Sequence, residues 1–262
     1  MDTLAVVIEF PSVVPGDQID VSATSFVTFL RCPEYAAARF RGEYGPESRA
    51  GFSGKLAHRI FARHLNGQPT SRTDLEQVCR EEIGAGMNVN IGALKLKPSE
   101  LGQVIEEVGG LYDRFKVLRL EGFVGAEVAL EFTPHQAVLL KGSIDAVFED
   151  DGGVRLIDWK TGRLDDPLDQ LHFYALLWAL TKDELPARVE AVSVRTGERQ
   201  EDVPSRSSVD ATAVQVAEMV NQMRTSWASG PVPDRHGGPW CRYCPVLDGC
   251  SEGQAANAVV SA

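Results

Sequence analysis

The chain has 262 residues, 44% of them hydrophobic and 24% charged, enough apolar material to bury a sizeable core. Its formal net charge of −11 excludes a protein that coats nucleic acid nonspecifically and leaves room only for a local basic groove. No apolar run approaches the ~20 residues that a transmembrane helix needs, so no membrane partner is expected.

The segment from Met1 to Phe10 is too short for a secretory signal and lacks its basic start, so a cytoplasmic location is expected. Ser22 and Ser25 offer N-caps for a helix running toward Cys32. Residues 50–66 have the pattern of a helix that carries His58, with Ile60, Phe61 and Leu65 on its apolar side. Helices are expected at 70–83 and 98–120, separated by the glycine-rich stretch 84–92. Strands follow at 123–132, 143–148 and 154–159, then a helix at 170–180 and a strand at 189–194. Glu127 and Glu131 on the first of these strands fall near the chemistry described below. A helix at 209–228 leads to a cysteine-rich segment, and the small, polar tail after Cys250 is expected to be mobile. There is no internal repeat, and Gly51 to Lys55 lacks the spacing of a Walker A motif, so no ATP motor is expected. The order of elements predicts one α/β domain over residues 1–262, with a helical region at 70–120, a core at 123–195 and a cysteine module at 240–250.

The strands at 143–148 and 154–159 form a hairpin, because Asp150, Asp151, Gly152 and Gly153 are a strong turn signal. With Asp151 and Gly152 as the loop, Asp145 lies directly opposite Asp158, the two Cβ atoms ~4.5–5.5 Å apart on one face. Lys160 is two residues beyond Asp158 and shares that face. Two carboxylates that close repel unless a cation lies between them. Carboxylate oxygens are hard ligands that suit Mg²⁺ or Mn²⁺, and such a metal polarises a phosphodiester and lowers the pKa of a bound water. A nearby lysine can orient that water or stabilise developing negative charge.

On the 170–180 helix, Gln170 and Tyr174 are four residues apart and hence neighbours on one face. Both can hydrogen-bond phosphate, and tyrosine can stack on a base, so both are candidate DNA contacts. Arg31, Arg39, Arg41, Arg49, Lys55, Arg59 and Arg63 crowd into one stretch with few acids, the best candidate for a phosphate-binding surface.

Gly142-x-x-Asp145, Asp158-x-Lys160 and Gln170-x-x-x-Tyr174, in this order and spacing, resemble the RecB-like branch of the PD-(D/E)XK nuclease superfamily. Gly54-x-x-x-His58 fits the upstream helix that should supply a histidine ligand. The resemblance implies a restriction-endonuclease-like core, a central mixed sheet flanked by helices. It also implies a metal bound by His58, Asp145, Asp158 and the backbone carbonyl of Trp159, with Asp145, Asp158 and Lys160 catalytic. His64 and His172 lack support from the motif order and are left out.

Five cysteines, an odd number, and no secretory signal argue against a disulfide framework. Cys241-x2-Cys244-x5-Cys250 is compact enough to hold a metal centre, and Cys32 and Cys244 are each followed by proline. One cysteine before the core and three after it resemble the iron–sulfur nucleases of the same superfamily. That group includes AddB-type repair nucleases and the CRISPR-associated nucleases that trim new spacers. The resemblance implies a [4Fe–4S] cluster held by Cys32, Cys241, Cys244 and Cys250, stapling the two ends of the chain together. A Cys₄ zinc site uses the same ligands, and spacing alone does not separate the two. Cys79 is left over as a buried or partly buried free thiol.

The implied activity is that of a DNA exonuclease dependent on Mg²⁺ or Mn²⁺ and acting on single-stranded ends in recombination, repair or phage DNA processing. DNA is the implied partner, with a helicase or recombinase beside it. Two alternatives stay open. One is spacer acquisition alongside a CRISPR integrase; the other is a catalytically idle DNA-end-binding module. The intact Asp145, Asp158 and Lys160 argue against the idle module.

Overall fold

A computed structural model describes residues 8–135 and 137–260. Residues 1–7, on which most of the reading of Met1 to Phe10 as no signal peptide falls, lie outside the described residues.

The longest strand, β3 (Val138–Asp150), organises a six-stranded sheet. It turns into β4 (Gly153–Lys160) through Asp151 and Gly152, in the register expected from the turn, from Asp150 opposite Gly153 to Ala146 opposite Ile157. Gly153 takes a φ of +101°, which a residue with a Cβ resists, and Gly152 N donates to Asp150 Oδ1 at 2.8 Å. β2 (Phe123–Phe132) lies antiparallel along β3 from Leu140 to Phe148. That occupies one edge of β3, so two other strands must share the opposite edge. They are β4 and β1 (Ile19–Ser22), the latter running parallel to Val138–Lys141. Between them, residues 142–145 have no strand partner on that edge. β4 continues alongside β5 (Arg188–Ser193) in parallel, and β6 (Arg199–Asp202) closes the sheet antiparallel to β5.

Alternating residues of the sheet feed two cores. One face packs on α1 (Ala23–Arg31), α7 (Leu168–Lys182) and α8 (Arg206–Ser229), with Phe26, Leu176 and Val216 buried against Ile144 and Leu156. The other packs on α3 (Arg49–Leu65), α4 (Leu75–Gly86) and α6 (Pro98–Phe115), with Phe61, Val78 and Phe115 buried against Phe148 and Trp159. The result is the expected α/β architecture, a mixed sheet flanked by helices.

Several boundaries differ from expectation. The helix predicted from 70 begins at Leu75, because Ser71 and Asp74 bond one another, Ser71 Oγ to Asp74 Oδ2 at 2.6 Å, and hold a turn there. The helix predicted to 120 stops at Phe115 in a tight turn, Leu118 N donating to Phe115 O. The glycine-rich separator is largely helical: α4 runs through to Gly86 and α5 (Asn88–Leu94) follows. The tail expected to be mobile forms α9 (Ser251–Val260) and packs on the cysteine module. β1, β6 and α2 (Pro33–Phe40) were not anticipated. No helix of the described residues is long and apolar enough to cross a membrane.

Candidate active site

The unpartnered edge of β3 at residues 142–145 is the centre of the site. Gly142 opens it. A Cβ there would lie 3.2 Å from Leu177 Cδ2 and 3.4 Å from Tyr174 Cε1, so glycine lets α7 settle close against β3. Three residues on, Asp145 turns its carboxylate into the gap. Its Oδ2 accepts from Trp159 N at 2.7 Å, and its Oδ1 lies 3.2 Å from Nδ1 of His58 on α3. Asp145 and Asp158 keep the expected register, one step beyond the last ladder pair, Ala146 and Ile157. The ladder itself stops short of them, and the Asp145 side chain takes the Trp159 N–H that a β3 carbonyl would otherwise have received.

The backbone of β4 alternates between its two neighbours. Val194 N donates to Lys160 O at 2.8 Å, so the amide groups of Lys160 face β5. Those of Trp159, one residue earlier, face the β3 side and the gap. The Trp159 ring points the other way, edge-on to Phe115 at 5.3 Å in the second core.

Asp158 and Lys160 form a compact network with α7. Lys160 Nζ is 2.8 Å from Asp158 Oδ2 and donates to Gln170 Oε1 at 2.7 Å. Gln170 Nε2 donates to Asp158 Oδ1 at 2.8 Å and to Tyr174 Oη at 3.0 Å. The amide therefore spans the ion pair and holds both partners in place. Gln170 and Tyr174 were expected on DNA; the structure instead turns their polar atoms inward toward Asp158, and Tyr174 is only 8% exposed. From Phe173 to Leu180 α7 is buried on every side, which encloses Tyr174, and Gln170, half-buried on the first turn, is held by Asp158 and Lys160.

A further carboxylate completes the group. Glu127 on β2 sits opposite Asp145, between the pairs Ala126–Ala146 and Val128–Ile144, and has a φ of +50°. Its Oε2 accepts from Ser143 Oγ at 2.9 Å. Among the described residues, His58, Glu127 and Asp145 are the one set that brings three metal-binding atoms within 4.8 Å of one another. Glu131, the other acid expected nearby, sits opposite Lys141 in the β2–β3 register and is exposed, and Lys141 pairs with Asp20 instead. Sequence pattern alone placed Glu127 near the site; its position against Asp145 requires the β2–β3 register.

The charges act on each other. Burial and then the Asp145 carboxylate push Glu127 above the usual carboxylate range. The same two causes, burial first, push Asp158 up despite the Lys160 ammonium. Burial opposes protonation of His58, but Asp145, Asp158 and Glu127 outweigh it and hold the imidazole at about 9. Burial, reinforced by Asp158 and Asp145, lifts the Tyr174 phenol above its ordinary value. An array of carboxylates this crowded is held by a proton on His58, or by a cation in its place.

The basic stretch does not act as one surface. Arg41 pairs with Glu34 and Glu43, Arg49 with Glu107, and Arg31 with Asp165, while Arg39 lies over the Tyr44 ring. Lys55, Arg59 and Arg63 are paired too, with Glu47 and Glu82, but they share one surface. Spaced by four on α3, they line a cleft of about 760 Å³ whose wall also includes His58, Glu127 and Asp145.

The cysteines lie at the other end of α1. Cys32, Cys241, Cys244 and Cys250 line one narrow cavity, but no three of them form a group as tight as His58, Glu127 and Asp145. Backbone N–H groups donate to the sulfurs, His236 N to Cys32 at 3.4 Å, Gly238 N to Cys241 at 3.3 Å and Gly253 N to Cys250 at 3.3 Å, and the Val246 backbone also bonds Cys244. A Cβ on Gly253 would lie 3.3 and 3.5 Å from the Cys250 and Cys241 sulfurs. Cys79 is apart from them, fully buried on α4 in the second core, with its thiol pushed up to about 12 by burial and then by Glu82.

The profile of the PD-(D/E)XK nuclease superfamily matches residues 20–251. No curated protein sequence matches the chain. Among solved structures, a candidate exonuclease from Eubacterium rectale is similar with a TM-score of 0.51 at 15% identity, covering 82% of this chain and 83% of that one. The protein SSO0001 aligns over 91% of this chain and 88% of its own at 17% identity, but its TM-score of 0.39 is too low to bear on the fold. The first likeness agrees with a restriction-endonuclease-like core.

Proposed function

The chain belongs to the PD-(D/E)XK nuclease superfamily, and on that premise we propose that it is a divalent-metal-dependent DNA exonuclease acting on single-stranded ends. The observation that carries the reading is the convergence of His58, Glu127 and Asp145 at the unpartnered edge of β3, one register step from Asp158. The donor set is one imidazole and hard carboxylate oxygens, which fits Mg²⁺ or Mn²⁺. His58, Asp145, Asp158 and the Trp159 carbonyl would hold the ion, with Glu127 as an added ligand. Once bound, the ion would polarise the phosphodiester and lower the pKa of a coordinated water.

The chain's own residues do the rest. Lys160 places a positive charge beside Asp158, where negative charge develops during hydrolysis. Gln170 fixes the directions of Lys160 and Asp158, and Tyr174 buttresses Gln170. We assign both as positioning residues. The cleft beside the site, about 760 Å³, falls within the ~300–1,000 Å³ of small-ligand pockets and has room for a nucleotide or two of one strand.

A [4Fe–4S] cluster on Cys32, Cys241, Cys244 and Cys250 belongs to the same reading. The N–H donors to the sulfurs suit thiolates, whose charge such bonds stabilise. The cluster's place is structural, away from Asp145 and Asp158.

Digestion of end-labelled single- and double-stranded DNA with Mg²⁺, Mn²⁺ or EDTA tests the activity. The expected result is metal-dependent shortening from an end of the single strand. Cleavage unaffected by EDTA, or none with either metal, would overturn the reading.

A further inference from the structure

Two arginines of the cleft converge on one acid. Arg59 Nε donates to Glu82 Oε2 at 2.8 Å, and Arg63 Nη1 donates to Glu82 Oε1 at 3.4 Å. Glu82 comes from α4, across the cleft from α3, and its side chain is 18% exposed. Arg63 Nε is buried and has no hydrogen-bond partner, so the Glu82 carboxylate leaves one donor of this guanidinium unused. Two guanidinium groups around one carboxylate make an anion site, and a phosphate offers the same charge with an additional acceptor oxygen. The site adjoins the catalytic group. Arg59 directly follows His58, and Arg59 to Arg63 spans ~6 Å along the helix axis.

We propose that Arg59 and Arg63 form a phosphate subsite for a single DNA strand, and that Glu82 occupies it as a displaceable stand-in until the strand arrives. The inference rests on the nuclease reading and extends it. An incoming phosphate takes both guanidinium groups from Glu82 and meets the unused Nε of Arg63; Glu82 then turns to solvent. Strands that carry no phosphate at this position cannot displace it, and nonspecific anions compete poorly with a carboxylate already in place. Lys55, held by Glu47 at 2.8 Å on the same wall, stands outside this unit.

The test is the affinity of a fluorescent single-stranded oligonucleotide, measured by anisotropy in EDTA across a salt series. The proteins are the wild type, Glu82→Gln, Arg63→Gln and the double variant. Glu82→Gln should bind roughly two- to fivefold tighter, the scale of one partly exposed ion pair. Its log–log salt slope should stay that of the wild type, because the displaced carboxylate leaves the same phosphate contact in both complexes. Arg63→Gln should bind more weakly with a shallower slope. In the double variant the gain from Glu82→Gln should vanish, which a mere brace between α3 and α4 would not produce. Unchanged or weaker binding by Glu82→Gln, with the wild type still binding and cleaving, overturns the gate alone. No binding by any of the four proteins overturns both the gate and the nuclease reading. If either single variant melts early, Glu82→Ser or Arg63→Lys takes its place, so that the coupling between positions 63 and 82 is still read from four folded proteins.

Discussion

Asp145 and Trp159 are joined by a bond that is neither ladder nor side-chain pair: the carboxylate Oδ2 accepts the Trp159 N–H at 2.7 Å, while Oδ1 faces His58. The bond forms because β1 and β4 share one edge of β3 and leave residues 142–145 between them uncovered. A buried N–H must find an acceptor, and the acidic side chain supplies it. The same carboxylate thereby becomes fixed in orientation, with one oxygen left for His58 or a cation.

Replacing Asp145 by Asn keeps an oxygen for Trp159 N–H but removes the charge. The Asp145→Asn protein should melt within a few degrees of the wild type, lose most Mn²⁺ affinity in a calorimetric titration, and lose cleavage. Wild-type metal affinity in this variant would remove Asp145 from the metal site.

Gln170→Ala tests positioning. Loss of a residue that orients catalytic groups costs ~10–100-fold in activity. The loss should appear in kcat, while affinity for single-stranded DNA in EDTA stays unchanged, because the polar atoms of Gln170 face Asp158 and Lys160. Weaker DNA binding with unchanged kcat would restore the DNA-contact role.

His58 sets a pH dependence. Its value in the metal-free protein, about 9, lies above the ordinary 6.5. The protonated ring therefore stabilises the metal-free fold fully below about 6.5, and this contribution is lost as pH rises through about 9. A metal needs the neutral ring, so binding at pH 7 should release about one proton. Mn²⁺ titrations in buffers of different ionisation enthalpy should show that proton, and apparent affinity should rise roughly tenfold per pH unit until about 9. His58→Gln should abolish the proton release.

The hairpin was legible because its turn residues set the loop length, and loop length sets register; Asp145 and Asp158 followed from that alone. The ends of α3 followed from its apolar periodicity to within a residue, while α8 begins at Arg206, three residues before the expected start. What could not be read depended on distant partners. β1 is four residues long and gains its meaning from Val138–Lys141, more than a hundred positions later. Glu127 depends on the β2–β3 register, which no tight turn dictates. The inward aim of Gln170 and Tyr174 was hidden because α7 has no polar side from which to infer direction. The helix after Cys250 was hidden because its small residues carry little pattern until Gly253 meets the cysteine sulfurs.

Glu127 occupies a backbone conformation that costs on the order of 1–3 kcal/mol for a residue with a side chain. Glu127→Gly should raise the melting temperature of the metal-free protein by a few degrees, by relieving both that strain and the repulsion from Asp145. It should lower Mn²⁺ affinity and cleavage at the same time. A variant both less stable and fully active would mean that Glu127 is a structural residue.

Anaerobically purified protein should be brown and hold about four irons per chain. Cys32→Ser should lose iron and thermal stability together, since a centre bound only by the folded chain stabilises it. Cys79→Ser should retain its iron, because that thiol is buried away from the other four. Colourless protein with stoichiometric zinc would replace the cluster by a zinc site and leave the nuclease reading intact.

The position of the metal tests the central claim most directly. Crystals of the protein soaked in Mn²⁺ and measured at the manganese edge should give an anomalous peak bounded by His58, Glu127 and Asp145, beside the Trp159 carbonyl. A protein that cleaves DNA with Mn²⁺ but binds the ion elsewhere, or shows no peak at this group, would contradict the account.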